Sequence, residues 1–126
     1  MIHDRKLARI KRKRSFKIRS DSKLFFNDYS EEMFERIELV KNTFNDGLAL
    51  GFRNIKFTKA KNIIALRNAE LSVSKNTDLI CDEEYLPIKK SSLDLIISFF
   101  NLHASNDIPG ILFQINQSLN PNGLFM

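Results

Sequence analysis

Asp82, Glu83 and Glu84 stand in a row directly after the short apolar run Leu79-Ile80-Cys81. A second polar set, Ser98, Asn101 and His103, stands within and just after the end of a stronger apolar run at 93–100. An acid placed just beyond a buried strand can accept hydrogen bonds from the polar edge of a nucleotide. A buried strand that ends in a small polar turn opens a crevice at the carboxyl edge of a sheet, where open α/β folds take their ligands. Gly51, after Leu48-Ala49-Leu50, adds a position where backbone can approach a ligand without a Cβ in the way. Metal chemistry finds little material, because Cys81 has only His3 and His103 beside it and no zinc-ligand spacing can be assembled. Nothing positions Glu83 and Glu84 as a paired acid and base, and surface charge is their simpler expectation.

The elements that must carry these residues read as an α/β pattern. From Gly47 onward, short apolar runs alternate with polar stretches, predicting strands at 48–50, 63–66, 79–81 and 93–100. Before them, Met33, Phe34, Ile37, Val40 and Phe44 recur at three- and four-residue intervals behind a capping Ser30 or Asp28, predicting a helix over 30–43. After them, Asn106 or Asp107 caps a helix bearing Ile108, Ile111, Leu112, Ile115 and Leu119 on one face, with Pro109 in its first turn. Asn120-Pro121-Asn122-Gly123 predicts a turn, and Leu124-Phe125-Met126 the start of a fifth strand. Alternating strands and helices imply parallel pairing. A shared cleft for Asp82 and His103 further asks that the strands at 79–81 and 93–100 lie adjacent.

Charge divides the chain unevenly. Residues 1–23 hold ten Lys/Arg against Asp4 and Asp21, and the remaining residues hold ten against thirteen Asp/Glu, so the basic character belongs to an arm and the body is mildly acidic. This break sets an arm at 1–23 and a domain at 24–126. Leu7, Ile10 and Ile18 fall near helical spacing in the arm, predicting a helix whose thin apolar stripe packs on the body; a nucleic-acid tether is the less favoured use of the same charge. A lone cysteine rules out an internal disulfide framework and suits a reducing, cytoplasmic compartment, and no apolar run reaches membrane-spanning length.

Over residues 78–125 the order Asp82-Glu83-Glu84-Tyr85-Leu86-Pro87, Leu93-Asp94-Leu95-Ile96-Ile97-Ser98, Asn101-Leu102-His103, Asn106-Asp107-Ile108-Pro109-Gly110 and Leu119-Asn120-Pro121-Asn122-Gly123-Leu124-Phe125 resembles one branch of the class I S-adenosylmethionine (SAM) methyltransferases. That branch is the family of the methyltransferase-fold mitochondrial complex I assembly factor and its bacterial relatives, with the biotin-pathway malonyl-carrier-protein methyltransferases further off. Asp4-Arg5, Leu7 and the spaced arginines to Arg14 are similar to the same family's basic opening segment. The resemblance implies a Rossmann-like parallel sheet with flanking helices, incomplete here because family members continue beyond a fifth strand. It implies SAM as cofactor, with Gly51, Asp82, Glu83 and Ser98 in contact with it and Asn101 and His103 lining the substrate crevice. It also implies either SAM-dependent transfer or the arginine hydroxylation of the assembly factor.

Departures from the pattern lower the expected activity. Ala49 stands where the family has an aspartate, Ile55 where it has a later glycine, and Ala104 where a tryptophan follows the histidine. Only residues 52–62 separate Gly51 from the second strand, a short crossover. Arg67 follows that strand closely, and Glu70 reaches the ribose-binding place only if the strand runs on past 66. These substitutions predict a degenerate, truncated family member with weak or lost SAM binding. The alternative from another class is a non-catalytic assembly module, whose arm meets an acidic partner or RNA and whose open sheet edge is covered by a protein partner.

Overall fold

The computed structural model describes residues 4–15, 20–51, 60–71 and 77–126, with the side chains of 15 and 20–26 left aside. Two helices, α1 (Arg5–Ser15) and α2 (Ser20–Glu38), precede strands β1 (Phe44–Leu50), β2 (Ile63–Glu70), β3 (Leu79–Ile80) and β4 (Leu93–Ser98). Helix α3 (Ile108–Ser118) and strand β5 (Leu119–Phe125) follow. The strands form one sheet in the order β3-β2-β1-β4-β5, with every neighbouring pair parallel. The chain works outward from β1 to β3 on one side and then returns to place β4 against the other side of β1. That reversal creates a topological switch point between β1 and β4. The strands bearing Asp82 and Ser98 are therefore parallel and in one sheet, but β2 and β1 lie between them, which corrects the expectation of direct neighbours.

Burial on both faces explains why β1 and β4 are apolar at successive positions. Ala49, Leu95 and Ile97 pack with Phe34 and Ile37 of α2 on one face, while Leu48, Leu50 and Ile96 pack with Ile111 and Ile115 of α3 on the other. This is the period-two alternation of a strand applied to a sheet covered by helices on both sides.

Several expected boundaries move. The second helix begins at Ser20 and stops at Glu38, earlier at both ends than expected, and Phe44 opens β1 instead of closing the helix. Ser30 is no cap. It lies within α2, fully buried, and its Oγ donates to the Asn27 carbonyl at 2.8 Å. Strand β2 continues through Arg67, Asn68 and Ala69 to Glu70, four residues past the apolar run. The expected turn at 120–123 lies within β5. Leu93 pairs with Leu119 and Leu95 with Leu124, so the intervening residues bulge out of register, with Asn122 at φ 68°. Asn120 then donates to Asp94 Oδ1 at 2.9 Å, while the Asn45 and Asp46 amides donate to Oδ2. Ile55 and most of the short crossover lie outside the described residues.

Helix α1 turns the opposite face to the body from the one its apolar residues predict. Leu7 and Ile10 are 45% and 47% exposed, whereas Arg12 is 6% exposed. Arg5, Ala8 and Arg12, at i, i+3 and i+7, form the inward face.

Candidate functional site

The carboxyl ends of β1, β2 and β3 line up Gly51, Glu70 and Asp82. The Gly51 amide donates to the Ala69 carbonyl at 3.1 Å and the Cys81 amide to the Glu70 carbonyl at 2.9 Å, fixing the three strand ends side by side. Across the switch point, the Phe99 amide donates to the Leu50 carbonyl at 3.0 Å, holding the exit of β4 against Gly51. Gly51 has φ +83°, and a Cβ there would lie 3.0 Å from the Phe99 carbonyl oxygen and 3.1 Å from Asn101 Cβ. Glycine is required both by the left-handed backbone and by this approach. Phe100 also has positive φ, 48°, and its ring stacks edge-on against Tyr29 of α2.

Asp82 and Glu83 face α1. Arg5 Nε donates to Asp82 Oδ2 at 3.0 Å and Nη2 to Oδ1 at 2.5 Å, a bidentate pair, while Nη1 donates to the Ala104 carbonyl at 3.0 Å. The same Nη2 lies 2.7 Å from Glu83 Oε1. Seven residues on, Arg12 donates through Nη2 and Nη1 to Glu83 Oε1 and Oε2 at 2.8 and 3.3 Å, and through Nη2 to Asn101 Oδ1. Ser105 Oγ approaches Glu83 Oε1 at 3.5 Å. Glu83 is 2% exposed, so it is an internal counter-charge to two arginines and not the surface acid expected of it. Asn101 is similarly buried and engaged by Arg12. Ser98 ends β4 opposite Leu50, and His103 sits exposed on a single 3-10 turn, Leu102–Ala104.

The loop bearing the acids is pinned to α3. Glu84 accepts from the Asn106 amide at 2.5 Å, and its carbonyl accepts from Gln114 Nε2 at 2.7 Å, while the Leu86 amide donates to Gln114 Oε1 at 2.8 Å.

Burial opposes the charge on both acids, but the arginines outweigh it. Hydrogen bonds from Arg5 and the Glu84 amide hold the Asp82 carboxyl below the usual range, and Arg12 followed by Arg5 does the same for Glu83. Burial pushes the Cys81 thiol up to about 11, reinforced by the charges of Glu83, Asp82 and Glu70. A thiol so placed is a poor nucleophile.

A pH dependence follows. Unfolded Asp and Glu titrate near about 3.9 and 4.3, above the folded values, so between the two the unfolded chain binds more protons and stability falls as pH drops. The urea midpoint is expected to hold steady from neutral pH to about 5 and to fall below about pH 4. The amides of α1 should lose protection from exchange in the same interval. A midpoint unchanged down to pH 3 would show that the pairs contribute nothing.

The contacts of Arg5, Arg12 and Gln114 with the acid loop and the turn after β4 escaped sequence reading, because these partners lie 28 to 99 residues away. Glu70 was discounted because the polar pair Arg67-Asn68 ends the apolar run early.

A parallel sheet in this order, with a glycine at the first strand end and acids at the next two, defines a Rossmann-like domain of the methyltransferase type. Residues 18–126 match the methyltransferase domain family, and the chain belongs to it. That family in general uses SAM. Among curated proteins, the chain is 42% identical over 62 residues to arginine-hydroxylase NDUFAF5, mitochondrial, of Danio rerio, covering 49% of this chain and 19% of that protein. The Homo sapiens counterpart is 39% identical over 62 residues, covering 18% of its length. The matches thus span less than a fifth of these relatives. A chain from the solved complex of the Haloferax volcanii Trm112 methyltransferase activator superposes with a TM-score of 0.51 at 18% identity, covering 78% of this chain and 51% of that one. No helix among the described residues is long and apolar enough to cross a membrane.

Proposed function

We propose that the crevice between β1 and β4 is a SAM site and that the chain serves as a SAM-dependent methyltransferase domain of weakened cofactor affinity. The observation that carries this is the alignment of Gly51, Glu70 and Asp82 across three successive carboxyl strand ends. Gly51 leaves room for close backbone approach, Glu70 stands where ribose hydroxyls need an acceptor, and Asp82 stands on the side of the adenine. Ser98 borders the same crevice, and His103 flanks the substrate side. Bound SAM supplies a methyl group on a cationic sulfur. Ala49, fully buried, presents no carboxylate at the end of β1, and its loss is one reason for weak binding. Glu83 and Asn101 act through Arg12, holding the wall of the crevice. The division into an arm at 1–23 and a domain at 24–126 is kept as a functional one, since α1 meets the crevice from outside the sheet. The outer edge of β5 has no neighbouring strand among the described residues, and it is the place for a protein partner to pair.

Titration calorimetry with SAM tests the reading. Micromolar binding is expected, weakened about tenfold or more by Asp82→Ala and by Glu70→Gln, the effect of losing a hydrogen bond to a charged acceptor. No heat up to millimolar SAM would overturn it.

A further inference from the structure

Asp82 is assigned to the ligand, yet the fold has already supplied it with one. A carboxylate offers about four acceptor directions. At Asp82, Arg5 Nη2 and the Glu84 amide take Oδ1, and Arg5 Nε takes Oδ2. The same guanidinium closes on Glu83 and on the Ala104 carbonyl beyond the β4 exit, bridging the segment after β3 and the turn after β4. An amino group of a nucleotide base has one free direction left at this carboxylate.

The two arginines of α1 differ in a way that suits displacement. Arg12 is the more deeply buried, its side chain 7% exposed, and it binds a carboxylate that is 3% exposed. Arg5 is 14% exposed against a carboxylate at 20%, and it lies in the first turn of the helix. Water can reach the outer pair and replace its bonds as it opens, whereas opening the inner pair strands a buried charge.

We propose that Arg5 is a built-in occupant of the crevice, so that α1, anchored by Arg12, is a latch which a nucleotide-type cofactor must open to reach Asp82. The inference rests on the SAM reading above and concerns how that site is regulated. Cofactor affinity is set by competition with the chain's own guanidinium, and release of the latch couples ligand binding to the position of the basic arm.

Arg5→Gln tests it in the full chain, by calorimetry with SAM beside the wild type. The variant is expected to bind about tenfold or more tightly, since a charge-assisted bidentate contact no longer competes. Equal or weaker binding by the variant would overturn the latch and leave the cofactor reading intact, while no binding by either protein would overturn both. Amide exchange on the wild type guards against a variant that misfolds. With saturating SAM, the amides at 8–15 should exchange several-fold faster. Unchanged or slower exchange would show an arm that ignores the ligand or closes over it, and the latch would be rejected.

Discussion

Arg12→Met is expected to cost about 3–5 kcal/mol of folding stability, the range for removing one partner of a buried ion pair. The side chain stem is kept, so the loss isolates the guanidinium. Glu83, with both oxygens turned to Arg12 at 2.8 and 3.3 Å, would lose its bidentate partner while its carboxylate stays nearly inaccessible to water. Asn101 Oδ1 would lose its Arg12 donor at the same time. Urea denaturation at pH 7 measures the loss. The double variant Arg12→Met with Glu83→Gln should recover part of it, because the uncompensated charge is then gone. The gap between Arg12→Met and wild type should also narrow as the pH falls through about 4, because acid first protonates the stranded carboxyl of the variant and reaches the arginine-paired one of the wild type only at lower pH. Arg12→Lys is expected to fall between, since an ammonium cannot reproduce the two-pronged contact with the carboxylate and reach Asn101 as well. A loss under about 1 kcal/mol for Arg12→Met would put the pair in the class of surface salt bridges and would detach α1 from any role in shaping the crevice.

What could be read in the sequence, and what could not, divides along the distance over which each residue finds its partners. The runs Leu48-Ala49-Leu50 and Leu95-Ile96-Ile97 announce a sheet buried on both faces, because each residue finds an apolar neighbour whichever way it points. The α/β class followed from these, and the family from the resemblance carried by the motifs between residues 78 and 125. The second half of β2 was illegible. Arg67 and Asn68 look like a strand end, but the Asn68 amide donates to Asp78 Oδ2 at 2.7 Å and its carbonyl accepts from the Asp78 amide at 2.8 Å, so a residue ten places on extends the strand. Helix α1 was legible as a helix and not in its orientation. Its apolar pair Leu7 and Ile10 suggested the inward face, yet two bidentate arginine–carboxylate contacts outweigh two aliphatic side chains, and their acids lie more than 70 residues away. The turn at 120–123 was legible as chemistry, since the residues that bend a chain are there, but an edge strand absorbs them as a bulge.

Gly51→Val is expected to cost about 2–5 kcal/mol: roughly 1–2 for a side chain in the left-handed region and about 1–3 for crowding. The crowded atoms cannot move cheaply. One is the Phe99 carbonyl oxygen, on backbone already bonded to Leu50, and the other is Asn101, held by Arg12. Gly47→Ala is the control. Its Cβ would meet the tip of Leu66, a flexible side chain, at 2.9 Å and the Ala65 carbonyl oxygen at 3.2 Å, but its φ lies outside the left-handed region, so its loss should be smaller. Urea midpoints for the two variants separate the cases, and equal losses would refute a special backbone role for Gly51. Because valine at 51 must push Asn101 out of place, it also loosens the Arg12 contact from the far side of the crevice. The variant combining Gly51→Val with Arg12→Met should therefore lose less than the sum of the two single losses, with a coupling of about 0.5 kcal/mol or more. Strict additivity would mean that the glycine at the switch point and the arginine of the arm act on separate parts of the fold, and that the crevice is not one mechanical unit.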